Sequence, residues 1–469
     1  MQPNTRRTFL RTLGAGAASL AAGCGREAVP PAGPALPTPT PAQLAWQDFE
    51  LGIVFHFDMP VYAPEGWTAL RGTLDPNLYQ PAKLDTDQWV AAAKEMGCGY
   101  AIFTATHFNG FLQWQSDLYP YGLKQTSWRG GKADIFGDFV ESCRKAGIVP
   151  GVYLSCHRNA YWKVWNYRVN WGEGGDGQAE FARMGARMTE ELVSRYGDLC
   201  EIWYDAGLLH PDDGGPDVLP VVDKHQKNIV FYHSPQRREH RWIGNEEGVA
   251  GYPCWATMPD LAVSEQAHHA HQTQQADLRR FLANGDPDGP RWEPAMVDVP
   301  IRDHDWFWIP GRDDRVFSLE ALVEMYYTSV GRNCTFILGG TPDRDGLVPE
   351  ADFRRYAELG REIRRRFGKP LAQTAGEGEV VELRLPQPAR IDHVSIMEEI
   401  AHGERIRAYE VEGHTEADNW TKLCEGISVG HKRIERFSPV EVAAVRLRVT
   451  QLRGAPKIRS LAVFDTTRA

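Results

Sequence analysis

Cysteine is scarce and poorly placed for a scaffold: the chain has eight in 469 residues, none in a CxxC spacing. That pattern excludes a disulfide framework and a zinc knuckle, and leaves room for a single disulfide at most. There is no basic run, and 52 Lys and Arg against 62 Asp and Glu give a formal charge of −10. Such a balance argues against a nucleic-acid partner. No G-x-G-x-x-G follows the first strand pattern, so a dinucleotide-binding fold finds no support. The apolar stretch Leu13 to Ala22 is too short and too rich in Gly and Ala for a permanent bilayer helix. Hydrophobic residues at 42% with 24% charged residues exclude a largely disordered chain. What is abundant is tryptophan, with 15 copies. Its broad apolar face and single polar edge suit sugar rings as well as protein cores.

The N-terminus reads as an address. Arg6-Arg7 precedes the short apolar stretch, which ends in Leu20-Ala21-Ala22-Gly23-Cys24. Residues 1–24 are therefore expected to be a twin-arginine, lipoprotein-type export signal. Lipidation at Cys24 would hold the mature chain in the periplasm or cell envelope. Residues 25–42, with Pro at 30, 31, 34, 37, 39 and 41, are expected to form an extended linker. Export of an already folded chain suits the other seven cysteines as buried thiols.

With ~150 residues per domain, the length suggests two or three domains. Short apolar runs then alternate with amphipathic patterns. Strands are expected at Leu51 to His56, Tyr100 to Ala105, Val149 to Ser155, Glu201 to Asp205 and Asn228 to His233. Three more follow: a weak one at Trp242 to Gly244, then Ala295 to Ile301 and Cys334 to Leu338. Helices are expected at Thr86 to Met96 (capped by Asp85 or Asp87), Ile135 to Lys145, Ala179 to Arg195, Val218 to His225, Leu319 to Val330 and Ala351 to Arg366. This alternation implies a parallel sheet, and eight units fit an α/β fold of the (β/α)8 TIM-barrel type over residues 43–368. An open, doubly wound sheet is the rival. Residues 255–290 read as a polar insertion. Residues 371–469 carry short alternating strands, at Val380 to Leu385, Asp392 to Met397, Ile406 to Glu412, Val442 to Val449 and Ile458 to Phe464, and are expected to form a C-terminal all-β sandwich.

Barrel chemistry sits at the C-terminal ends of the strands. The polar residues there are His56, Asp58, His107, Asn109, His157, Arg158, Asp205, His233, Asn245, Glu246, Asp298 and Arg302. Asp205 closes the apolar run Ile202-Trp203-Tyr204, where a carboxylate is costly unless it is solvated or paired. With Glu246 it forms a pair able to flank one scissile glycosidic bond, as in a retaining glycosidase. Two other readings stay open at this point. A metal-dependent barrel hydrolase would use His56, Asp58, His107 and His233. A protein that binds carbohydrate without turnover needs neither acid. His268-His269-Ala270-His271, in the polar insertion, also has metal-ligand residue types.

Several segments together resemble family 29 of the glycoside hydrolases, the α-L-fucosidases. Leu51-Gly52-Ile53-Val54-Phe55-His56-Phe57 resembles that family's opening strand, F-G-x-F-x-H-[FW]-G. Thr106-His107-Phe108-Asn109-Gly110-Phe111 with Trp114 resembles K-H-H-D-G-F-x-x-W. Glu201 to Gly207 resembles E-[IL]-W-F-D-G, and Arg241 to Glu246 resembles the R-W-x-G-N-E of the branch acting on 1,3/1,4-linked fucose. Pro294 to Arg302 and Ser329 to Asn333 resemble the same branch. The resemblance implies Asp205 as nucleophile and Glu246 as general acid/base. It places His56, Trp67, His107, Tyr153 and Trp306 around the sugar, with a glycan as partner and neither metal nor cofactor. Three positions depart from the pattern: Phe108 for the second His, Asn109 for the Asp, and Asp58 for the Gly after the first strand. If these read glycone hydroxyls, the sugar is fucose or a relative such as L-galactose. A sugar-binding role for the C-terminal module rests on analogy alone.

Overall fold

The computed structural model describes residues 35–63, 72–170, 177–260, 276–415 and 419–467. Its first helix, α1 (Pro41–Phe49), begins inside the segment expected to be a linker. The reason is local. The Thr40 side chain accepts from the Gln43 N–H while the Gln43 side chain accepts from the Thr40 N–H, and Pro41 occupies the first helical position. A reciprocal cap followed by Pro is a strong helix start. The expected signal and Cys24 lie outside the described residues.

The barrel strands are β1 (Leu51–Phe55), β2 (Tyr100–Thr104), β3 (Val149–Leu154), β4 (Glu201–Tyr204), β5 (Val230–Tyr232), β6 (Arg241–Trp242), β7 (Ala295–Pro300) and β8 (Cys334–Gly340). They pair in the order β5-β4-β3-β2-β1-β8-β7-β6, every pair parallel. Both faces of β1 are buried, as its unbroken apolar run requires in a parallel sheet. The helices are α2 (Thr86–Met96), α3 (Ile135–Ala146), α4 (Gln178–Arg195), α5 (Leu219–His225), α6 (Ala276–Asn284), α7 (Leu319–Thr328) and α8 (Glu350–Phe367). Asp85 caps α2 through the Gln88 N–H, and Gly97 ends it with φ of 96°.

The sheet is a nearly closed barrel. Among the described residues β5 and β6 do not pair with each other, and side chains fill the opening. Gln43 Nε2 donates to the carbonyls of Glu239 (2.6 Å) and Trp292 (2.9 Å). Trp46 Nε1 donates to Glu201 Oε2 (2.7 Å), and His240 Nε2 meets Glu201 Oε1 (2.9 Å). Helix α1 thus plugs the end of the barrel opposite the expected chemistry.

In the polar insertion, Thr257-Met258 pairs antiparallel with Arg291-Trp292, and α6 lies between them. His268, His269 and His271 lie outside the described residues.

The C-terminal module holds β9 (Ala372–Glu377), β10 (Val380–Glu398), β11 (Ile406–His414), β12 (Trp420–Gly426), β13 (Arg433–Leu452) and β14 (Lys457–Phe464). They form one antiparallel sheet, ordered β9-β14-β10-β13-β11-β12, around its own apolar cluster. Segments expected as separate strands, Val380 to Leu385 and Asp392 to Met397, are halves of β10. A shift in pairing between Arg384 and Ala389 divides them. Glu404 ties module to barrel: its carboxylate accepts from the Ala256 N–H (3.0 Å) and Asn333 Nδ2 (2.6 Å).

Candidate active site

Five strands deliver the polar side chains at the mouth of the barrel. His56 follows β1, Tyr153 lies on β3, Asp205 follows β4, Glu246 follows β6 and Asp298 lies on β7. His107 comes from the loop after β2. The His56 ring is the hub: its centroid lies 4.9 Å from Trp306, 5.4 Å from Phe307, 5.6 Å from His107 and 5.7 Å from Tyr153. Burial drives its pKa down to about 3, against the opposing pull of the Val54 carbonyl, so His56 stands neutral.

A chain of hydrogen bonds runs into Asp205. The Phe108 N–H donates to His107 Nδ1 at 2.9 Å, which leaves the proton on Nε2. Nε2–H then donates to Tyr153 Oη (2.8 Å), and Tyr153 Oη–H donates to Asp205 Oδ2 (2.7 Å). Burial keeps the His107 pKa well below the usual imidazole value. Burial also raises the Asp205 carboxyl, to about 6. The Tyr153 phenol opposes that rise, and the Glu246 charge adds to it. The two acids therefore share one electrostatic environment.

Each of the three carboxyls at the mouth accepts from one aromatic donor. Asp205 has the Tyr153 phenol. Glu246, exposed at the rim, accepts from Trp306 Nε1 at 3.0 Å. Asp298 accepts from Trp242 Nε1 at 2.6 Å. The backbone turns sharply after Asp205: Ala206 has φ of 58°, and its carbonyl accepts from Tyr167 Oη at 2.6 Å. Gly207 follows at φ of 80°, where a Cβ would lie 2.5 Å from the His233 ring.

The structure thus brings Asp205, Glu246, His56, His107, Tyr153 and Trp306 to one mouth. Trp67 lies outside the described residues. The model of the α-L-fucosidase family matches residues 41–366, most of the chain and all eight strands. The chain belongs to the α-L-fucosidase family, family 29 of the glycoside hydrolases, and is an enzyme of that class. α-L-Fucosidase 1 of Arabidopsis thaliana is 29% identical over 482 residues, covering 92% of this chain and 88% of the plant protein. A crystal structure from Bacteroides thetaiotaomicron VPI-5482, of a protein named provisionally as an α-L-fucosidase, superposes with a TM-score of 0.87 at 43% identity. It covers 92% of this chain and 99% of its own. A Ruminococcus gnavus GH29 fucosidase in complex with fucose shares the fold, with a TM-score of 0.77 at 23% identity over 93% of this chain and 97% of its own.

The departures from the family pattern read differently in three dimensions. Asp58 and Asn109 are fully buried and face each other, with Asn109 Nδ2 donating to Asp58 Oδ2 at 2.9 Å. Asp58 Oδ1 accepts from the Met59 N–H (2.6 Å), and Asn109 Oδ1 from the Phe111 N–H (2.8 Å). The two changes compensate: a carboxyl appears at 58 and an amide replaces the acid at 109. Both side chains are committed to each other and to neighbouring backbone N–H groups. The remaining departure, Phe108, lies under the Arg158 guanidinium at 5.0 Å, with the Trp165 ring 4.0 Å from the same carbon.

The metal-hydrolase set does not assemble. Asp58 is committed to Met59 and Asn109, His107 to Phe108 and Tyr153. Among the described residues no three His, Cys, Asp or Glu side chains converge as ligands. Arg302, another strand-end candidate, is structural and pairs with Asp352 at 2.7 Å and Asp313 at 2.9 Å. Sequence reasoning gave no role to Trp203 or Trp242. Trp203 Nε1 is buried with no hydrogen-bond partner among the described residues, beside Tyr153 at 5.8 Å. The signal for Trp203 was its place two residues before Asp205.

Proposed function

We propose that this enzyme is a retaining exo-α-glycosidase that removes terminal α-L-fucosyl residues, or those of a close relative such as L-galactose, from glycans. The observation that carries the reading is the pair Asp205 and Glu246, on neighbouring parts of one rim and sharing one electrostatic environment. Asp205 Oδ1, free of the Tyr153 bond, attacks the anomeric carbon as Glu246 gives its proton to the departing glycosidic oxygen. The C–O bond to the aglycone breaks, and an ester to Asp205 forms. Water then enters, Glu246 takes its proton, and the ester opens to release the sugar with its anomeric configuration retained. His56 meets a sugar hydroxyl as a neutral imidazole, His107 holds the Tyr153 phenol against Asp205, and Trp306 positions Glu246. The R-W-x-G-N-E-like segment favours 1,3- and 1,4-linked fucose. The departures that suggested binding without turnover weigh less here, since Asn109 is committed to Asp58 and to the Phe111 N–H.

Aryl α-L-fucoside and α-L-galactoside hydrolysis tests the reading. Asp205→Asn should abolish turnover with the fold intact. Glu246→Gln should cost about 10²–10⁴-fold on substrates with poor leaving groups. Unchanged rates in both variants would overturn it.

For the N-terminus we propose export by the twin-arginine-type signal at residues 1–24, lipidation at Cys24, and residence in the periplasm or cell envelope. Metabolic labelling with palmitate should mark the full chain and not Cys24→Ser. Equal labelling of both would contradict the anchor.

A further inference from the structure

We propose that Asp298 is a third working carboxyl of this site, a hydrogen-bonding contact for a ring hydroxyl of the sugar lodged between Asp205 and Glu246. The proposal rests on the glycosidase reading and names a residue to which that reading gives no part.

Asp298 stands on β7, two residues beyond Met296, which lies level with Trp242 of β6. Trp242 reaches up one pleat to donate Nε1–H to Asp298 Oδ1 at 2.6 Å, and the residue is 6% exposed. One carboxyl oxygen is therefore spoken for. Among the described residues no Lys or Arg is paired with Asp298, unlike Asp352, which Arg302 holds. After burial, what acts on it are the charge of Glu246, the Trp242 bond, the charge of Asp205 and its own backbone N–H. Tyr153 feels Asp205, Glu246 and Asp298 together, which puts all three around one phenol at the mouth. The Tyr232 phenol, on β5, also feels Asp298 and Asp205.

In the proposed mechanism Glu246 enters as the acid and Asp205 as the carboxylate, and a second buried carboxylate beside Asp205 is disfavoured. Burial, and after it neighbouring charge, pushes Asp298 well above the usual carboxyl range. A neutral carboxyl with Oδ1 accepting from an indole N–H carries its proton on Oδ2. It is then a fixed hydroxyl donor beside the reacting sugar. Burial of such a group is costly unless a partner accepts that proton. A sugar hydroxyl is the partner that the site brings.

The test compares the parent enzyme with Asp298→Asn and Asp298→Ala. Each is assayed for kcat and KM on aryl α-L-fucoside and on its 2-, 3- and 4-deoxy analogues. Binding of the corresponding free sugars is measured by calorimetry. Asn keeps an acceptor for Trp242 and a donor in place of Oδ2–H, so Asp298→Asn should stay within about tenfold of the parent. Asp298→Ala should lose about 10–100-fold on the full sugar. On one deoxy analogue, the one without the contacted hydroxyl, parent and Ala variant should be alike. An equal loss on every analogue would mark Asp298 as structural and overturn the proposal while the glycosidase reading stands. If the parent neither binds nor cleaves any of these sugars, the glycosidase reading itself fails and this proposal with it.

Discussion

At the scale of single residues, the site is set by what burial does to ionisable groups. In the proposed mechanism Asp205 must be a carboxylate to attack, yet burial lifts it to about 6. Activity therefore rises with pH through that value, and kcat/KM should fall about tenfold per pH unit below it. The Tyr153 hydrogen bond favours the charged form, so Tyr153→Phe should move this acid limb to higher pH as well as lower the rate. A rate loss with the limb unmoved would assign Tyr153 a packing role alone. Much of this was legible in advance. Asp205 ends an apolar strand run, and the residue motifs marked both acids. Asp298 stood among the strand-end polar residues, but Trp242, its partner, was less visible, because a Trp in a weak strand reads simply as strand. The contact between Asp58 and Asn109 was hidden for another reason: the two are 51 positions apart, and neither position alone implies a partner.

At the scale of elements, periodicity served well where elements were long and amphipathic. Helix α2 has the expected ends, and β6 is slight as expected but covers Arg241–Trp242 rather than Trp242 to Gly244. Helix α1 was hidden because a proline-rich run masks its start, although Thr40 and Gln43 carry the capping signature. Strands β9 and β12 escaped because they lie half-exposed with few apolar positions. The loop after β1 offers a stability test. Asp58 caps the single turn Met59–Tyr62, and burial raises its carboxyl to about 7. A carboxyl raised in the folded state favours folding while it is protonated, and that contribution declines as pH climbs from its unfolded value towards 7. Asp58→Asn does not titrate and pays a constant cost for facing the Asn109 amide. The parent's stability relative to this variant, from urea unfolding, should therefore fall between about pH 4 and pH 7. A difference independent of pH would show that Asp58 is ionised throughout.

For the whole molecule, the barrel turns distances in sequence into neighbours. Residues from position 56 to position 306 meet at one mouth because parallel strands all end there, while α1 and the Glu201–His240 pair close the other end. The chemistry assigned to that mouth has a covalent signature. An α-L-fucoside carrying a 2-fluoro substituent and a good leaving group should esterify the enzyme and release it slowly. Peptide mass spectrometry of the quenched enzyme should find one deoxyfluoroglycosyl group, on the peptide that contains Asp205, and none in Asp205→Asn. A label on another residue, or inactivation-free turnover with no label at all, would contradict the assignment of Asp205 as the attacking group.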